Sequence, residues 1–163
     1  MTSFRRLKNQ FHDLNGLEKM KVELKRVDGD FHFEALGAAN VPVSIDAAAG
    51  IGGQNAGARP MELLLMAMGS CSAIDVILIL KKQKQKLKDV RIQIEGNRAE
   101  GQIPAVFTKI NMHFILSGTI SPQKVERAIA LSVEKYCSVT AMLCKTAEIS
   151  YSYEIVSSAT NYK

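Results

Sequence analysis

Along six stretches of the chain, apolar and polar residues alternate with a period of two, the pattern of a strand with one buried face. In MKVELKRV, Met20, Val22 and Leu24 alternate with Lys21, Glu23 and Lys25. Asp28-Gly29 follows, a pair suited to a hairpin turn. FHFEAL sets Phe31 and Phe33 on one face, and VPVSIDA carries Val41, Val43 and Ile45. DVRIQIEG repeats the pattern with Val90, Ile92 and Ile94. FTKINMHFILSG does so with Ile110, Met112, Phe114 and Leu116, and AEISYSYEIV with Ile149, Tyr151, Tyr153 and Ile155.

Two stretches break this alternation. The first opens at Pro60, a residue suited to the first helical position, and the pattern predicts a helix from about Met61 to about Gln85. It is apolar on nearly all faces through Leu80, which predicts burial on most sides. The second, SPQKVERAIALSVEKY, is predicted to be capped by Ser121-Pro122, with Val125, Ala128, Ile129 and Val133 facing inward. The connector AAAGIGGQNAGA lacks the Gly-Lys-Ser/Thr ending of a phosphate cradle and reads as a flexible loop. The segment CSVTAMLCKT separates the second helix from the last strand. The order is β-β-β-α-β-β-α-β, only partly interleaved, which predicts an α+β fold. A helix apolar all round needs a second sheet or a second subunit to cover it. Residues 1–19 read as an N-terminal arm or short helix, 20–156 as the folded domain and 157–163 as a C-terminal tail.

Composition fits an ordinary globular protein: 163 residues, 47% apolar and 23% charged. Leu63 to Leu80 reaches the lower edge of a membrane span. Gly69, Ser70, Ser72 and Asp75 interrupt it, and the strands need a helix to cover them, so it reads as a core helix and no membrane partner is expected. The net charge of +5 is concentrated in KKQKQKLK, Lys81 to Lys88. Cations there complement a helix C-terminus. No aromatic residue is interleaved, so the run reads as a solvated helix end and no nucleic acid is expected to bind. Arg5 and Arg6 are not followed by an apolar run, so no secretory signal is read. Three cysteines without framework spacing point to a reducing compartment, the cytoplasm.

The candidate chemistry lies in those cysteines. Cys71 sits in GSCSAIDVILIL, the most apolar stretch; Cys137 ends the second predicted helix, and Cys144 follows. None forms a Cys-x-x-Cys pair, and His12, His32 and His113 are not at ligand spacing from them, so no metal is expected. A reactive thiol needs a nearby cation or a helix N-terminus. Cys71 lies about three turns into its helix, and Asp75 at i+4 would raise its pKa. The residues alone leave both readings open: a small buried hydrophobe or a reactive group.

RPMELLLMAMGSCSAIDV and EKYCSVTAMLCKTAEISYSYEI together resemble the OsmC/Ohr family, in its branch of OsmC-like redox proteins. The resemblance covers roughly residues 20–156. It implies an intertwined homodimer in which two long central helices are wrapped by antiparallel sheets. It also implies reduction of organic hydroperoxides without metal, haem or flavin: Cys71 would be the peroxidatic thiol and Cys137 the resolving thiol, with a dithiol reductant restoring the pair. The peroxidases of the family pair an Arg on an early strand with a Glu near the start of the central helix. Here FHFEALGAANVPVSIDA contains no Arg or Lys, Met61 stands at the Glu position and Glu62 is one place along. Arg59 and Glu62 are the candidate activating residues; Arg59 lies about 18 Å from Cys71 along one helix and would act from a partner chain. Cys144 reads as a small buried residue, with a resolving role as its alternative. Beside the redox reading stands a non-enzymatic dimer that binds an apolar small molecule in the same pocket.

Overall fold

The computed structural model describes residues 20–28 and 30–157. The expected N-terminal arm, Gly29 of the turn and nearly all of the C-terminal tail lie outside the described residues. The chain divides into two compact units, Met1–Pro60 and Met61–Lys163.

In the first unit, β1 (Glu23–Arg26), β2 (Phe33–Leu36) and β3 (Pro42–Ile45) form an antiparallel sheet in the order β1-β2-β3. Glu23 lies opposite Leu36 and Arg26 opposite Phe33. The strands are shorter than the alternating stretches that predict them, because Met20 and Val22 pass beyond the pairing and stand exposed. After β3 the connector closes around Asp46 instead of running as a free loop. Its buried carboxylate accepts the N–H groups of Ala47 at 2.7 Å, Gln54 at 2.8 Å and Ala56 at 3.0 Å. These bonds, that of Ala56 foremost, hold the Asp46 carboxyl below the usual range. Gly57 passes against the backbone of Ser44 so closely that no Cβ fits.

The second unit contains α1 (Pro60–Lys82), β4 (Lys86–Arg98), β5 (Phe107–Thr119), α2 (Pro122–Leu131), a π turn (Ser132–Tyr136), α3 (Ser138–Leu143) and β6 (Glu148–Val156). Its sheet runs β4-β5-β6, with β4 and β5 antiparallel and β5 and β6 parallel. The parallel pair requires a crossover, which α2, the π turn and α3 supply. Period two along β5 turns Ile110, Met112, Phe114 and Leu116 to one face, where they meet Met68, Val76, Ile79 and Leu80 of α1 and Val125 and Ile129 of α2. The approach of α1 to the sheet depends on Gly69: a Cβ there would lie 2.6 Å from Ile94 Cδ1. α1 is long and apolar enough to cross a membrane, and its buried face belongs to this core.

Three local expectations change. α1 ends at Lys82, where Lys84 turns left-handed (φ 55°) and the Gln85 N–H returns to the Leu80 carbonyl. The lysines from Lys81 to Lys88 are exposed. Ser121 stands at the N-cap of α2 without a side-chain cap; its Oγ bonds Gln123 Oε1 at 2.7 Å instead. The second predicted helix does not continue to Tyr136: it widens into the π turn after Leu131, and a separate helix, α3, follows Cys137.

Candidate thiol site

α1 is sided in an unusual way. Its buried face carries Ser72 and Asp75 beside Met68, Val76 and Leu80, while Leu64, Met66, Ile74, Ile77 and Leu78 stand exposed. The all-round burial predicted for this helix is not reached within one chain. Of the two polar side chains, Asp75 has a partner on the inner side. Ser132 Oγ, in the π turn, donates to Asp75 Oδ2 at 3.0 Å. Burial nevertheless pushes the Asp75 carboxyl up, against that hydrogen bond.

The π turn sets the position of Cys137. Its N–H reaches back to the Ser132 carbonyl at 2.9 Å, and its backbone is extended (φ −69°, ψ 104°), which stops the helix. Cys137 thereby becomes the N-cap of α3, and its sulfur accepts the Thr140 N–H at 3.4 Å. Cys71, one residue before Ser72, meets it from α1. The two thiols are near enough to act on one another, and the Val139 N–H acts on Cys71. The redox pair implied by the resemblance is thus one contiguous cluster. Cys137 is buried, with 2% of its surface exposed, whereas Cys71 is partly exposed.

The environments of the two thiols differ in sign. Burial pushes Cys71 up, followed by its bond to Cys137 and the negative charge of Asp75; the Val139 N–H opposes them. Burial also pushes Cys137 up, but the Ser72 and Thr140 hydroxyls, the Thr140 N–H and the Cys71 thiol outweigh it, so Cys137 lies below the usual thiol range. Ser72 Oγ and Thr140 Oγ1 are buried and form no completed hydrogen bond. Met68 O lies 3.9 Å from the Cys137 sulfur, on the side where a protonated thiol donates.

Within the second unit, Glu62 and Cys144 are not part of this cluster. Glu62 lines a groove of about 490 Å3 with Leu65, Met66, Gly69, Ser70 and Ala73 of α1 and Val90, Ile92 and Ile94 of β4; neither sulfur lines it. Arg59, in the first unit, donates to Asn55 Oδ1 at 3.0 Å. Cys144 is exposed, contrary to its expected burial, because α3 turns it outward, where its thiol meets the Ala141 carbonyl at 3.4 Å. Among the described residues, no three His, Cys, Asp or Glu side chains cluster as metal donors.

Residues 52–152 match the model of the OsmC-like proteins. The chain belongs to the OsmC-like family. It is 49% identical over 98 residues to Protein YhfA of Escherichia coli K12, covering 60% of this chain and 72% of YhfA. A hypothetical protein from Aquifex aeolicus superposes with a TM-score of 0.71 at 33% identity, over 85% of this chain and 98% of the other. The organic hydroperoxide resistance protein OhrB of Bacillus subtilis shares the fold at 15% identity (TM-score 0.58, 85% of this chain and 99% of OhrB). The α+β fold read from the sequence is that of this family.

Sequence reasoning missed Ser72, Ser132, Val139 and Thr140. One signal was available for Thr140: it lies three residues after Cys137, the spacing of an N-cap side chain and the N–H it accepts.

Proposed function

We propose that this OsmC-like protein is a thiol-dependent redox protein that reduces organic hydroperoxides through a Cys71–Cys137 thiol/disulfide cycle. The observation that carries the reading is the juxtaposition of the two thiols, which lie close enough for each to shift the titration of the other. In the cycle, one sulfur takes an oxygen from the hydroperoxide and releases the alcohol. The resulting sulfenic acid condenses with the second thiol to a disulfide and water, and a dithiol reductant restores the pair. Fold-sharing proteins named for organic hydroperoxide resistance support the substrate class. The protein acts as a homodimer in the cytoplasm. Leu64, Met66, Ile74, Ile77 and Leu78 give α1 an exposed apolar face that a second copy would cover, and the free cysteines suit a reducing compartment.

The test is peptide mapping after mixing the reduced protein with one equivalent of cumene hydroperoxide and quenching with an alkylating agent. A rapid Cys71–Cys137 disulfide is the expected product. Two alkylated thiols after minutes of exposure would refute the reading. The groove on α1 and β4 supports a second reading, a binding protein for an apolar small molecule. Saturable binding of a hydrophobic dye by a protein inert to hydroperoxide would favour it.

A further inference from the structure

We infer that the reduced pair carries its negative charge on Cys137, and that Cys137 is the base that takes the proton of Cys71 as Cys71 attacks the hydroperoxide. The base role rests on the redox function proposed above; the location of the charge does not.

The first argument is the donor set. The Thr140 N–H points at the Cys137 sulfur from 3.4 Å, and the neighbouring Cys71 thiol also favours the ionised form of Cys137. Ser72 Oγ and Thr140 Oγ1 are buried hydroxyls without a completed hydrogen bond, and both act on this sulfur. A buried hydroxyl left unpaired is costly, and a thiolate is the acceptor that would satisfy both. Ionising Cys137 gives up the long 3.9 Å thiol contact to the Met68 carbonyl and in exchange supplies an acceptor for both hydroxyls. Ionising Cys71 leaves both hydroxyls facing a neutral thiol.

The second argument is the surroundings of Cys71. The charged group facing the pair is Asp75 of α1, four residues on, and it opposes a thiolate at Cys71. From the π turn the Ser132 hydroxyl is committed to Asp75, and from α3 the Val139 N–H is what faces Cys71. Yet Cys71 is the partly exposed sulfur and Cys137 the buried one. The more exposed cysteine and the cysteine that holds the charge are thus different, neighbouring residues. A shared proton resolves the mismatch.

The step balances as follows. The Cys71 sulfur forms a bond to the distal peroxide oxygen while the O–O bond breaks, and the Cys71 thiol proton passes to the Cys137 thiolate. The products are Cys71 sulfenic acid, neutral Cys137 thiol and an alkoxide, which takes a proton from water. The Cys137 thiol then condenses with the sulfenic acid, giving the disulfide and water. Two sulfurs are oxidised by two electrons in total, and the peroxide is reduced to alcohol and hydroxide.

The experiment compares Cys71→Ser and Cys137→Ser, each with Cys144→Ser to remove the exposed thiol. Thiolate absorbance is followed against pH, and Cys71 sulfenic acid is trapped with dimedone after adding cumene hydroperoxide. Cys71→Ser is expected to keep a lowered thiol titration, since Ser can still donate to Cys137. Cys137→Ser is expected to lose it. Sulfenylation of Cys71 in Cys137→Ser is expected to slow by about 10²-fold at neutral pH, the usual contribution of a positioned base, and to recover as pH rises. Thr140→Val in the intact pair keeps the shape, removes one hydroxyl and is expected to move the thiolate titration upward. An ionised sulfur that persists in Cys137→Ser and vanishes in Cys71→Ser would overturn the charge assignment, as would a titration unmoved by Thr140→Val. An unchanged sulfenylation rate in Cys137→Ser would overturn the base role. A protein that ionises at Cys137 yet ignores hydroperoxide upholds the charge assignment and overturns the proposed function instead.

Discussion

Replacing Asp75 by Asn tests the electrostatics of the thiol cluster most directly. Asp75 is buried at 6% exposure on the inner face of α1 and accepts one hydrogen bond, from Ser132 Oγ at 3.0 Å. A hydrogen bond to a charged acceptor contributes about 1.5–3 kcal/mol, while desolvating a carboxylate costs several. The raised carboxyl titration says that desolvation wins. A carboxyl whose folded pKa lies above its unfolded value binds its proton more tightly in the folded state. Its stabilising contribution is therefore present below the unfolded pKa and is lost as pH rises through the folded one. Asn keeps the shape and the acceptor oxygen but does not titrate. The stability of Asp75→Asn relative to the parent should therefore rise from acid to neutral pH. Urea unfolding followed by circular dichroism across that range, under reducing conditions, measures it. Any fixed offset from the Asn amide is common to all pH values, so the slope is the test. A difference that stays flat, or falls as pH rises, would show that Ser132 outweighs burial and would refute the reasoning.

Other consequences concern the rest of the molecule. Ile74→Glu with Leu78→Glu places charge on the exposed apolar face of α1; light scattering should show a dimer become a monomer, and a parent protein already monomeric refutes that interface. Asp46→Ala removes the acceptor of three N–H groups, so hydrogen exchange at Gln54 and Ala56 should accelerate while β5 stays protected; unchanged exchange at both would contradict the closed loop. In the same loop the lowered Asp46 carboxyl contributes stability above its unfolded pKa, which is lost as pH falls through its folded value. Phe114→Ala empties the centre of the core and should cost about 3–5 kcal/mol in denaturant unfolding; a cost below about 1 kcal/mol would mean the core collapses into the space.

The order of elements was readable in the chain because each uses a local period. β5 alternates over its whole length, so its buried face of Ile110, Met112, Phe114 and Leu116 was predictable without knowing what covers it. The two cysteines of the site were reached through motif resemblance, not through their neighbours, since nothing local to Cys71 favours ionisation. Local patterning did not predict the π turn. An α-helix through Ser132 to Tyr136 satisfies the same apolar spacing, whereas in the fold the segment widens, Ser132 bonds Asp75 of α1, and the helix stops at Cys137. Nor did it show that Ser72 and Asp75 face inward while Ile74 faces out, because a helix apolar on nearly all sides has no sequence-defined inner face. The chain by itself determined its strands, its long apolar helix and its candidate thiols, since period and residue type are properties of neighbours in sequence. Only the tertiary structure decided how those thiols differ. Ser72, Thr140 and Asp75 act on the two sulfurs through space, across α1 and α3, and a pKa is set by the groups around an atom rather than by the residues beside it in the chain.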